Sequence, residues 1–143
     1  MIFGVSTIMG SIIKKLVLNS GLIFILSIGG CASVPEELEM LDNTLKNYEK
    51  AMLWSEYDYI LTSHKGQNLN EYQHEKLKGI KVTSYDVLRS KLLPGGKKFV
   101  QIIALKYYNR SYGVVRSIRV EQEWVFEEER GAWVVLTPFP DFK

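Results

Sequence analysis

The sequence predicts an α+β domain in which N-terminal helices pack on one face of a four-stranded antiparallel sheet. Apolar residues recur at three- and four-residue steps from Leu38 to Met52, then at every second position after Ile80. The strand-like stretches are separated by short glycine-containing turns, as in successive hairpins. Helices followed by a run of hairpins form a two-layer α+β unit. The chain has 143 residues with 46% apolar and 12% aromatic content. That suffices for one core and not comfortably for two.

The chain opens with a different signal. Lys14 and Lys15 precede LVLNSGLIFILSIGG, an apolar run too short to cross a bilayer comfortably, because a spanning helix needs about 20 residues. A charged start, an apolar stretch and small residues before a cut are the parts of a secretory signal segment, expected to be helical. Met9 offers a conventional start for it. The run ends in Ile28-Gly29-Gly30-Cys31, which resembles the lipobox of bacterial lipoproteins. The resemblance implies that residues 1–30 are removed and that Cys31 takes the diacylglycerol on its sulfur, with its freed amine acylated too. Two or more acyl chains anchor a protein stably, whereas one binds only marginally. Ala32 stands where an aspartate would retain such a protein in the inner membrane, which implies the outer membrane. Plainer readings are an ordinary signal peptide with an incidental cysteine, or an uncleaved anchor. Residues 31–35 form the tether, which spans roughly 15–18 Å at about 3.6 Å per residue. The domain of residues 36–143 should therefore sit close to the membrane.

Pro35 followed by Glu36 and Glu37 suits a helix start, since proline fits the first turn and acids favour the positive dipole end. Leu38, Leu41, Leu45, Tyr48 and Met52 make the apolar face of a helix reaching Trp54. Ser55-Glu56-Tyr57-Asp58 has the form of a capping box opening a second helix that ends near Lys65-Gly66. Asn70 can cap a third helix stopped by Gly79, with Tyr72 and Leu77 expected to be buried.

From Ile80 the apolar phase switches within one long strand, which predicts a β-bulge. Pro94-Gly95-Gly96 turns into KKFVQIIALKYYN, apolar on both faces and so expected to be central or covered. In the third strand Ile118, Val120, Trp124 and Phe126 share one face, and AWVVLTPF closes the sheet before Pro138 and Pro140. A long sheet with a bulged strand should curl around the leading helix. AMLWSEYDYI, KVTSYDVL and QEWVFEEERGAWVVL resemble the nuclear-transport-factor-2-like, or cystatin-like, fold. That resemblance covers about residues 36–138 and implies helices packed in a strongly curved, cone-like sheet.

This fold hosts enzymes, binding proteins and scaffolds, so function must be argued from a site. Enzymes of the resembled fold use Asp, Tyr or His projecting into the cone. The candidate pocket-lining residues are Tyr48, Tyr57, Asp58, Tyr107 and Trp124. Tyrosine on an apolar face is also what core packing needs, and Asp58 also serves as the capping-box acid. His64 and His74 fall at polar helix ends and are expected to face solvent. No spacing suits a metal, and no phosphate-cradling loop or nucleophile elbow is present, so neither cofactor nor metal is expected. Of 18 Lys and Arg, Lys14 and Lys15 precede Cys31, which leaves 16 against 16 Asp and Glu. A neutral domain is a poor nucleic-acid binder.

Arg116 and Arg119 with Glu121 and Glu123 suggest an ion-pair ladder. Val115, Val125 and one face of the second strand point apolar groups outward, which suggests an envelope-protein partner or a homodimer through the sheet face. The leading expectation is a non-enzymatic, lipid-anchored binding or interaction domain facing the periplasm. Its alternatives are a cone-pocket isomerase, dehydratase or hydrolase using Asp58 or a tyrosine as base, and a structural part of an envelope or secretion complex.

Overall fold

The computed structural model describes residues 34–143, so Cys31 and the segment before it lie outside the described residues. Among the described residues three helices precede four strands: α1 (Glu36–Trp54), α2 (Tyr57–Ser63), α3 (Glu71–Lys78), β1 (Ile80–Leu92), β2 (Lys98–Asn109), β3 (Val115–Glu127) and β4 (Ala132–Val135). The strands form one antiparallel sheet in the order β1-β2-β3-β4, so the domain is α+β. No helix among the described residues is long and apolar enough to cross a membrane.

α1 starts after Pro35 with Glu36, Glu37 and Glu39 in its first turn. It ends at Trp54 as expected, but the residue after it plays a different part. Ser55 adopts a left-handed conformation (φ 62°) and closes α1, and Glu56 N–H donates to the Ala51 carbonyl at 2.9 Å. A serine held in that corner cannot also cap the following helix, so the Ser55–Asp58 capping box does not form and α2 has no side-chain cap. The capping box at α3 does form: Gln73 N–H donates to Asn70 Oδ1, and Asn70 N–H to Gln73 Oε1, each at 2.9 Å. Leu77 is buried, but Tyr72 is exposed. Five residues at 100° each put the two about 140° apart on a helix, and α3 buries only one side.

β1 carries two register shifts against β2, between Val82 and Ser84 and between Val87 and Arg89, which accounts for the phase switch. β4 is shorter than its apolar run, because Pro138 and Pro140 lack the N–H a ladder requires. α1 lies across the sheet: Trp133 Nε1 donates to the Glu37 carbonyl at 2.7 Å, and Lys81 Nζ donates to the Leu53 carbonyl. Between these ends Leu41, Tyr48 and Met52 meet Ile103, Leu105 and Trp124 in the core. The tail beyond β4 folds back and buries Phe139 and Phe142. Phe142 packs edge-on to Tyr107, their centroids 4.8 Å apart.

Candidate functional site

Tyr48 and Trp124 are brought together. Both are fully buried, with ring centroids 5.2 Å apart at an interplanar angle of 84°. α1 supplies the tyrosine and the inward positions of β3 the tryptophan, and edge-to-face geometry suits their ring quadrupoles. Tyr48 also leads to a residue expected in solvent. His64 is buried, with its Nε2 2.8 Å from the Tyr48 hydroxyl and its Nδ1 2.9 Å from the Thr137 carbonyl. A carbonyl only accepts, so Nδ1 carries the proton and the hydroxyl donates to Nε2. The exit from α2 runs beside β4, where Lys65 N–H donates to the Val135 carbonyl at 3.0 Å, and this carries His64 inward. Burial lowers the histidine pKa from its ordinary 6.5, against the opposing hydrogen bond to Thr137. Burial likewise raises Tyr48 well above the usual phenol value, so both groups stay neutral.

A second polar cluster adjoins the first. Gln101 on β2 and Gln122 on β3 face each other in register, and Gln101 Nε2 donates to Gln122 Oε1 at 2.7 Å. The same oxygen accepts from Trp124 Nε1 at 3.3 Å and from the Tyr85 hydroxyl at 3.4 Å. Burial, the largest influence on Tyr85, raises its pKa. Gln122 Nε2 is buried and, among the described residues, makes no hydrogen bond of regular geometry. Tyr48, His64, Gln122 and Trp124 are each no more than 5% exposed, so a substrate would have to displace core side chains to reach them. The arrangement holds fixed protons in fixed bonds.

The remaining candidates lie elsewhere. Tyr57 is buried, donates to the Ile80 carbonyl at 2.9 Å and packs edge-on to Phe139. Tyr107 binds the chain end: its hydroxyl donates to the Lys143 carbonyl at 3.2 Å and accepts from Lys143 N–H at 3.1 Å. Asp58 does not project into any interior. Its side chain is 96% exposed, 3.8 Å from His74 Nδ1, on the rim of a surface cleft of about 340 Å³ shared with Lys78 and Arg110. As the second residue of an uncapped helix it turns outward, because the apolar side of α2 is taken by Tyr57 and Ile60.

Sequence reasoning missed His64, Tyr85, Gln101 and Gln122. The two glutamines had a signal, since each interrupts an apolar alternation, Phe99-x-Gln101-x-Ile103 and Val120-x-Gln122-x-Trp124. Among the described residues no cluster of His, Cys, Asp and Glu could hold a metal ion. The chain matches no protein-family model, no curated protein and no solved structure.

Proposed function

We propose that this protein is a lipid-anchored, non-enzymatic interaction domain of the bacterial envelope, held close to the periplasmic face of the outer membrane. The observation that carries the reading is Cys31, the single cysteine, at the end of a lysine-led apolar segment finished by two glycines. The start of α1 at Glu36 supports a short tether, since four residues separate the cysteine from the helix. The filled interior around Tyr48 and Trp124 supports a role exercised through the surface rather than through a pocket. Within this reading the domain is a divergent nuclear-transport-factor-2-like unit, and the two register shifts in β1 support a sheet that bends around α1. The experiment is metabolic labelling with a fatty-acid probe. Wild-type chain should be labelled and sediment with membranes, and Cys31→Ser should lose both properties. Persistent labelling of the serine variant would overturn the reading.

A further inference from the structure

The face of the sheet turned away from α1 carries three cross-strand rows. Register sets Lys91, Val100 and Glu123 in one row, Arg89, Ile102 and Glu121 in the next, and Asp86, Ala104 and Arg119 in the third. In every row opposite charges on β1 and β3 flank a small or apolar residue on β2, and the third row reverses the sign order. The two charges of a row stand two strands apart, roughly 9–10 Å. Among the described residues none of the six joins an ion pair, so the ladder expected around Arg119 is absent. Residues 119, 121 and 123 are neighbours along one strand, where no cross-strand pair can form, and Arg116 lies on the other face, opposite Tyr107. Val100 and Ile102 are half-buried and floor a groove of about 350 Å³ bordered by Arg89, Lys91 and Glu121. The bulge adds half-exposed Leu88 beside Arg89.

We propose that a second copy of this chain covers this face, with the twofold axis running along β2. Such an axis keeps each row opposite itself while exchanging β1 with β3. Lys91 then meets the partner's Glu123, Arg89 the partner's Glu121, and Asp86 the partner's Arg119. All three rows become complementary, and the apolar stripe packs on itself. An in-plane axis across the strands through the middle row would pair Lys91 with Asp86 and Glu123 with Arg119 but oppose Arg89 to Arg89 and Glu121 to Glu121, so only the axis along β2 makes all three rows complementary. Aligned sheets pack about 10 Å apart with strands within about 30°, so the central rows stay in register. Lys98 and Lys106 close the stripe at its two ends, where long exposed side chains can carry their charged heads out to water. The apolar stripe drives association and the charges set its geometry.

The pairing extends the anchoring reading without depending on the lipid. Its test is thiol crosslinking of the full chain in a Cys31→Ser background, where an introduced cysteine is the only thiol. Ile102→Cys, on the axis, should give a covalent dimer with a short bis-maleimide, which adds one thiol at each end, and Asn47→Cys on the exposed side of α1 should give none. Arg89→Glu should lower the Ile102→Cys dimer yield at least fivefold, and adding Glu121→Arg should restore it. Circular dichroism of each variant checks that the fold is kept. Absence of the Ile102→Cys dimer, crosslinking only to other proteins, or failure of the second charge to rescue the first would each overturn the proposal. Failure to find acyl chains on Cys31 would overturn the anchoring reading and leave this result intact.

Discussion

Tyr48→Phe removes one oxygen from the core and isolates its consequences. The ring keeps its contacts with Trp124 and Tyr85, so the cavity left behind is small. His64 Nε2 loses its donor while the ring stays buried and its Nδ1 stays bound to Thr137. A buried acceptor left without a partner costs about 1–3 kcal/mol, more than the net value of an average hydrogen bond. For the roughly 110 residues from Val34 to Lys143, an unfolding entropy of about 2.1 cal/mol/K per residue gives roughly 0.23 kcal/mol/K. A loss of about 2 kcal/mol therefore lowers Tm by about 9 °C. Thermal unfolding followed by circular dichroism at pH 7.5 reads this directly, and Tyr59→Phe, at an exposed tyrosine, serves as the control. A fall of less than about 2 °C for Tyr48→Phe would refute the reasoning, because the hydroxyl would then not be satisfying a buried imidazole.

Two further outcomes follow from the same packing. His64 has a depressed folded-state pKa, so the unfolded chain binds its proton more readily. Its contribution to stability is present above about pH 6.5 and is lost as pH falls through the folded value. Urea midpoints of wild type should therefore drop more steeply between pH 7 and pH 5 than those of His64→Gln, and parallel profiles would contradict a neutral buried imidazole. Phe142→Ala removes a ring that is 2% exposed and lies against Tyr107 and Phe139. A buried Phe→Ala change costs about 3–5 kcal/mol, and at an m-value near 2 kcal/mol/M the urea midpoint should fall by about 2 M. A shift below about 0.5 M would mean that the tail does not pack as part of the core.

The helices and strands were legible because their apolar periods are long and clean. α1 was bounded by Pro35 and Trp54 as read, and the phase switch in β1 marked its bulges. Burial was legible only where a residue lay on such a period, as with Tyr48, Tyr57, Tyr107 and Trp124, all of which are buried. Tyr72 and Asp58 were misjudged because short helices bury too few positions to set a face. His64 could not be placed from sequence at all. Its burial depends on a connector running beside β4 and on Thr137, 73 residues away in the chain. The tail was invisible for a related reason: two prolines near its aromatic residues read as an ending, although Phe139 and Phe142 complete the core.

The buried glutamine pair answers a problem that the apolar pattern of β2 creates. β2 presents apolar residues on both faces, Ile103 and Leu105 inward and Val100 and Ile102 outward, so burial alone distinguishes its two possible faces weakly. A one-residue slip exchanges the faces and would leave a largely apolar set still packed under α1. Gln101 breaks that near-degeneracy. In the observed register it lies opposite Gln122 and donates to it, and a slip would turn it outward, leaving Gln122 Oε1 without its shortest hydrogen bond. A buried polar pair of this kind adds little net stability but makes the wrong register costly. The same register aligns Arg89 with Glu121 and Lys91 with Glu123 across the outer face. The polar pair inside thus fixes the alignment of charges outside, and a slip that disturbed the core would also scramble the surface proposed for the second copy.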